Sequence, residues 1–313
     1  MCTDNNPFIR SFKKIIPSLR KDTRSILEQS DLTGERFIVP LNHREIEVFW
    51  HRADKGNAPV LFELHGGGFA LGDARKNDQI REYIKNSLNI HVIGINYRKA
   101  PENPYPDALN DVIDILKYYS EHAGAFQMDR RRFALMGFSA GANLAVAAAM
   151  KVKGNQDFHI ICEVLHYPFL DAKTNPQDKK GDKGELPDEI MDAFNELYAK
   201  KQDRGLPEVS PVYASKELLS GMPETMIFTA QNDALCAEGF LYSEKLKEAG
   251  VPVSYDMIKD AHHGYIEDAF QDDCYNSTPK ETRELHSKRF KEAAKEAIDL
   301  TILRLIELLG NGE

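Results

Sequence analysis

A serine bracketed by glycines, Gly137-Phe138-Ser139-Ala140-Gly141, lies between an apolar run at 132–136 and a helix-forming run at 142–150. Read as strand, sharp turn and helix, that order pushes a serine hydroxyl out of the sheet in a strained backbone conformation. The two glycines leave room for strand and helix to close on each other. The helix begins just after Ser139, so its unpaired N–H groups and positive dipole end lie beside the reacting oxygen. Such a hydroxyl suits nucleophilic attack on a carbonyl carbon. The pattern alone is a weak signal, because roughly one chain in ten of this length contains it by chance. A glycine-rich turn with a serine helix cap would read the same way.

A serine attacks only when a base takes its proton, and an imidazole titrating near neutrality suits that exchange once a carboxylate orients it. Where this turn is catalytic, the chain order is serine, acid, histidine, with the histidine after the last strand. Of ten histidines only His262, His263 and His286 follow Val253, and His286 falls in a terminal helical pattern. Spacing favours His263 over His262, since Gly264 beside it allows a tight turn. For the acid, Asp233 ends the next-to-last strand and can reach a histidine on the neighbouring loop. Asp171, ending the strand after the serine turn, is its rival, whereas Asp256 lies inside a strand and Asp260 is too close to the histidines. A strand-end aspartate also serves as a turn former or cap.

These side chains need a frame. The runs at 35–40 and 45–51 predict an edge hairpin; 60–64, 90–96, 160–166, 222–230 and 253–258 predict further strands, with helices between them. Strands alternating with helices imply a mostly parallel sheet covered on both faces, binding ligands at the carboxyl ends of its strands. Gly67, Ser139, Asp233 and His263 would all lie there. After the strand at 60–64 comes His65-Gly66-Gly67-Gly68-Phe69, whose glycines let backbone N–H groups turn inward toward an oxyanion; a merely flexible loop is the bland alternative. The helix after the prolines of 101–106 has Asp107 as its predicted N-cap.

Residues 7–28 carry apolar side chains on one helical face and basic ones mostly elsewhere. Pro17 predicts two short helices, and a lid over the site is preferred to a membrane-resting segment. Residues 172–188 read as a mobile surface loop entering a helix at 187–201. The apolar stripe Ile298, Ile302, Leu305 and Leu309 of the terminal helix is expected to cover the sheet.

The 313 residues, 42% apolar, suit one α/β domain. A net charge of −9 argues against a nucleic-acid partner. Four scattered cysteines, Cys2, Cys162, Cys236 and Cys274, suggest neither disulfides nor a metal site, and no metal or organic cofactor is implied. Without an apolar leader or a spanning segment, a cytoplasmic protein with no stable membrane insertion is expected.

Taken in order, His65-Gly66-Gly67-Gly68, Tyr97-Arg98-Lys99-Ala100-Pro101-Glu102, the Ser139 turn, Asp233 and His263-Gly264-Tyr265 resemble the hormone-sensitive lipase family of α/β-hydrolase carboxylesterases. The resemblance runs from about Val60 onward. It implies the α/β-hydrolase fold over residues 35–313, an N-terminal helical cap in 1–34 and a cap contribution from about 172–210. It implies Ser139 as nucleophile, His263 as base, Asp233 as acid, and an oxyanion hole from the N–H groups of Gly67, Gly68 and Ala140. The expected activity is hydrolysis of small-molecule short-chain esters, acetyl esters among them, through an acyl-serine. The same triad could serve an amidase or peptidase, and a non-catalytic ligand binder of this fold is the third alternative. A homo-oligomer is left open. The chain departs from the family's habits at Phe138, where an acid is common, at Ala142 in place of glycine, at Ala234 in place of proline, and at Ala237, the second acidic position of that loop.

Overall fold

The computed structural model describes residues 6–181, 186–270 and 280–309; Cys2, Cys274 and the middle of the polar loop, 182–185, lie outside the described residues. Helix α1 (Pro7–Leu27) starts at Asn6, whose side chain accepts from the N–H groups of Phe8 and Ile9 at 2.9 and 3.4 Å. One helix replaces the two expected, with Pro17 inside it. Pro17 is exposed, so water can serve the carbonyl it leaves without a donor, while the buried Phe12 and Ile16 hold the helix by packing.

The hairpin of β1 (Glu35–Leu41) and β2 (Arg44–His51) is antiparallel, and β2 pairs antiparallel with β4. From there the sheet is parallel through β3 (Ala58–Leu64), β4 (His91–Asn96), β5 (Met128–Phe138), β6 (Ile160–His166), β7 (Glu224–Asn232) and β8 (Val253–His262). The eight strands are ordered β1-β2-β4-β3-β5-β6-β7-β8. The crossovers run through α2 (Asp78–Leu88), α3 (Asp107–Glu121), α4 (Ala140–Val152), α5 (Asp188–Tyr198), α6 (Lys216–Leu219) and α7 (Cys236–Glu248); α8 (Tyr265–Ala269) and α9 (Lys280–Leu309) end the chain.

Alternation along each strand divides the core. Val60, Phe62 and Leu64 pack with α3, α4 and α7, whereas Leu61, Met136 and Val164 pack with α2, α8 and α9. Ile298, Ile302, Leu305 and Leu309 are buried in the second layer, so the terminal stripe covers the sheet as expected. A third, smaller cluster joins Phe12 and Ile16 of α1 to Ala193, Phe194 and Leu197 of α5 and to Ala70 and Ala100. Among the described residues, no helix is long and apolar enough to cross a membrane.

Two further local expectations are corrected. Asp107 does not cap α3: it is the first helical residue, after Pro106, where its charge meets the helix dipole and pairs with Arg98 at 3.3 Å. Nor is the whole of 172–181 surface loop. Lys179 is buried, donating to the Asp171 carbonyl at 2.6 Å and pairing with Glu238 on α7. A polar run reads as solvated only until its charges find buried partners.

Candidate active site

Ser139 joins β5 to α4 with φ 52° and ψ −116°, a conformation that costs free energy and persists only when its surroundings impose it. Its N–H donates to the His166 carbonyl at 3.0 Å, and its carbonyl accepts from Ala142, Asn143 and Phe169 at 3.1, 3.3 and 3.2 Å. Both flanking glycines are required: a Cβ on Gly137 would strike the backbone of Gly141 and Ala142, and one on Gly141 the carbonyl of Leu64. The turn is thus wedged between two strands and its own helix.

His263 Nε2 lies 2.9 Å from Ser139 Oγ, and His263 Nδ1 lies 2.9 Å from Asp233 Oδ2. Sheet register explains the meeting. Asn232 of β7 pairs with His262 of β8, so the next residue on each strand, Asp233 and His263, leaves the sheet beside the other. Asp233 is buried, and its other oxygen accepts the Leu235 N–H at 3.0 Å. Since a carboxylate can only accept, Nδ1 carries the imidazole proton and Nε2 is free to take one from serine.

The rivals are engaged elsewhere. Asp171 Oδ1 accepts the N–H groups of Lys173 and Thr174, both at 2.9 Å, which makes it a turn former. The Nδ1 atom of His262 lies 2.7 Å from the His263 carbonyl. Cys162 is a core residue whose thiol burial pushes up, and Cys236 lies 3.6 Å from the Thr229 hydroxyl and 3.8 Å from that of Tyr255.

Burial pulls the His263 pKa down, but the charge of Asp233 and its hydrogen bond outweigh that, with Glu267 and Asp268 adding to them; the net shift is upward from 6.5. A protonated imidazole cannot accept the serine proton. The kcat/KM of an activated ester should therefore fall on the acid side with a midpoint above 6.5. A midpoint below that value in a pH–rate profile would mean that desolvation, not Asp233, sets the titration.

The glycine loop is folded back on itself. Gly67 and Gly68 have φ of 120° and 59°, in the region that favours glycine, and the Gly67 carbonyl is turned to accept Ala70 and Leu71 N–H at 3.1 and 2.8 Å. Among the described residues, no protein acceptor engages the N–H groups of Gly67, Gly68 or Ala140. A Cβ on Gly68 would collide with the ring of Phe194, so α5 lays an aromatic face directly on the loop, and Phe12 of α1 meets that ring edge-on at 5.8 Å. The Tyr97 to Glu102 segment supports the loop. Tyr97 stacks on His65 at 4.2 Å and donates to its carbonyl at 2.8 Å; Arg98 donates to Asp111 of α3; and Arg20 of α1 donates to the Ala70 carbonyl at 2.7 Å.

A nucleophile turn, a histidine and an aspartate meeting at the carboxyl ends of parallel strands define a serine hydrolase of the α/β-hydrolase class. Residues 61–267 match the family described as alpha/beta hydrolase fold, and the chain belongs to it, in the hormone-sensitive lipase group of carboxylesterases. Esterase LipI of Mycobacterium tuberculosis is 31% identical over 84% of this chain and 85% of its own. An acetyl esterase of Salmonella paratyphi B is 26% identical over 75% of this chain and 74% of its own. Among solved structures, a thermostable esterase from Pseudomonas putida superposes with a TM-score of 0.73, at 25% identity over 94% of this chain and 96% of that one.

Two of the departures from family habit, at Phe138 and at Ala237, are met by particular contacts. Phe138 is buried and stacks on His166 at 5.1 Å, so an aromatic contact stands where an acid would hydrogen-bond. Burial drives the His166 pKa down to about 3, keeping that ring neutral in the stack. Ala237 offers no acceptor, and the next residue is the acid Glu238. Glu238 is buried, and its Oε2 accepts the N–H groups of Leu170 and Asp171 at 2.7 and 2.9 Å, bracing the segment after β6. Sequence reading missed Glu238 because, at a helix start, an acid reads as a response to the dipole.

Proposed function

We propose that this chain is a serine carboxylesterase acting on small-molecule esters of short acyl chains, acetyl esters among them. The observation that carries the reading is the unbroken Ser139–His263–Asp233 hydrogen-bond chain, 2.9 Å at each link. Attack of Ser139 Oγ on the ester carbonyl passes its proton to His263 Nε2, and the carbonyl oxygen becomes an oxyanion facing the N–H groups of Gly67, Gly68 and Ala140. The imidazolium, stabilised by Asp233, returns the proton to the departing alcohol and leaves an acyl-serine. Water then attacks the acyl carbon with His263 again as base, releasing the acid and free Ser139.

Residues 1–34 and about 172–210 are assigned to a cap over a hydrolase domain of 35–313, a division supported by the cluster that Phe12 and Ile16 make with Ala193, Phe194 and Leu197. The short-chain preference is supported by Phe194 pressed on Gly68. A cytoplasmic location belongs to the same reading and is supported by the free thiols of Cys162 and Cys236, which a reducing compartment preserves.

Two experiments test this. Purified protein and its Ser139→Ala form, assayed on p-nitrophenyl acetate, butyrate, octanoate and palmitate with a matched anilide, should show serine-dependent release from the short esters only. Release from the anilide would move the assignment to an amidase. Phe194→Ala should raise the octanoate-to-acetate ratio of kcat/KM about tenfold, because one or two methylenes of fit in an apolar pocket are worth that much. An unchanged ratio would place the acyl group away from that ring.

A further inference from the structure

The peptide joining His65 to Gly66, the last before the oxyanion loop, is held at both ends. Its carbonyl accepts the Tyr97 hydroxyl at 2.8 Å, and its N–H donates to Glu267 Oε1 at 3.1 Å. Glu267 is buried on α8, the short helix that follows His263 and the Gly264 turn, and Tyr265 and Ile266 fix that helix in the core. The same carboxylate oxygen accepts Asn77 Nδ2 at 3.3 Å. That nitrogen also donates to Glu63 Oε1 at 2.7 Å, while Arg81 donates to Glu63 Oε2 at 2.8 Å. A Cβ on Gly66 would lie 2.7 Å from Glu267 Oε2, so the first of the three glycines makes space for this carboxylate.

Resting on the roles assigned above to Ser139, His263 and the glycine loop, we propose that Glu267 is a positioning residue that registers the oxyanion loop against the arm carrying the general base. Rotation of the 65–66 peptide is passed directly to the Gly67 N–H, its neighbour in the chain. Donors misplaced by a fraction of an ångström stabilise the tetrahedral oxyanion poorly while barely altering ground-state binding. One side chain thereby ties together the two parts of the site that come from opposite ends of the sequence.

The charge of Glu267 also bears on the base. His263 is faced by Asp233 from the end of β7, by the Tyr167 ring at 5.1 Å from the segment after β6, and by Glu267 and Asp268 of α8, with Lys76 pairing Asp268 at 3.5 Å. Glu63, Tyr97 and Tyr167 also lie within the field of Glu267. The carboxylate adds to the upward shift of His263.

The test compares Glu267→Ala and Glu267→Gln with the parent and with Ser139→Ala on p-nitrophenyl acetate, with circular dichroism and thermal unfolding of each. Alanine removes the acceptor, so kcat should fall about 10- to 100-fold with KM within about threefold. Glutamine keeps an acceptor oxygen without the charge. It should recover most of that loss and move the acid limb of the pH–rate profile to lower pH, because the imidazolium loses a neighbouring anion. A folded alanine variant with kcat within twofold of the parent overturns the proposal; so does a folded glutamine variant no more active than alanine with its acid limb unmoved. Activity surviving in Ser139→Ala would instead overturn the reading beneath it, so the two failures are distinguishable.

Discussion

Ser139→Ala is expected to lower turnover of p-nitrophenyl acetate by about 10⁶-fold, and His263→Ala by a similar factor. The two side chains act as one device: without Oγ there is no acyl acceptor, and without Nε2, 2.9 Å away, the hydroxyl keeps its proton. The double variant should therefore be scarcely slower than either single one, since each removes the same covalent route. Residual catalysis over water would come from binding and from the backbone donors of the glycine loop, which neither change touches. Folding should survive. Ser139 is held by its own backbone bonds to His166 and Phe169, which alanine also makes, so the thermal midpoint is expected to stay within a few degrees of the parent. Single-turnover and steady-state assays on folded protein check this. Near-parent turnover by either variant would remove the triad assignment.

The next largest effect is expected from Asp233→Asn, a fall of about 10⁴-fold in kcat. Size and burial change little, and the amide can still meet His263 Nδ1. If it presents N–H there, Nδ1 must accept and the ring proton moves to Nε2, which then cannot take the serine proton. If it presents its carbonyl, the tautomer is kept but the imidazolium of the transition state loses its counter-ion in a site where Asp233 is buried. Either way the acid limb of whatever activity remains should move to lower pH, since the upward push of Asp233 on His263 is gone. A variant within tenfold of the parent would make Asp233 a mere turn former, a role its oxygen already plays toward Leu235 N–H.

Much of the site was legible in residue order because its chemistry is local. A serine can be forced to φ 52° between strand and helix only where Gly137 and Gly141 lack side chains, and a loop can show its N–H groups inward only at residues such as Gly67 and Gly68, so each requirement leaves its mark within five positions. The alternation of strands and helices was legible for the same reason, as apolar periodicity is a property of neighbours in sequence. The reading of α1 as two helices failed where packing overrode a local rule: Phe12 and Ile16 are buried just ahead of Pro17, which is itself exposed.

What residue order leaves open concerns reach between elements. Asp171 and Asp233 both end strands, and His262 and His263 are adjacent; only the pairing of Asn232 with His262 sets Asp233 and His263 side by side. Glu238 and Glu267 could not be found at all, because what distinguishes them is burial against backbone N–H groups of Leu170, Asp171 and Gly66, some 70 to 200 residues away in the chain. Residue order alone carries the strained serine turn, the glycine loop and the α/β architecture, since steric permission and hydrophobic period are written locally. Folding is what brings Asp233, rather than Asp171, against His263 and sets Glu267 against the Gly66 N–H, because a carboxylate's partners are the donors and charges that distant segments place around it.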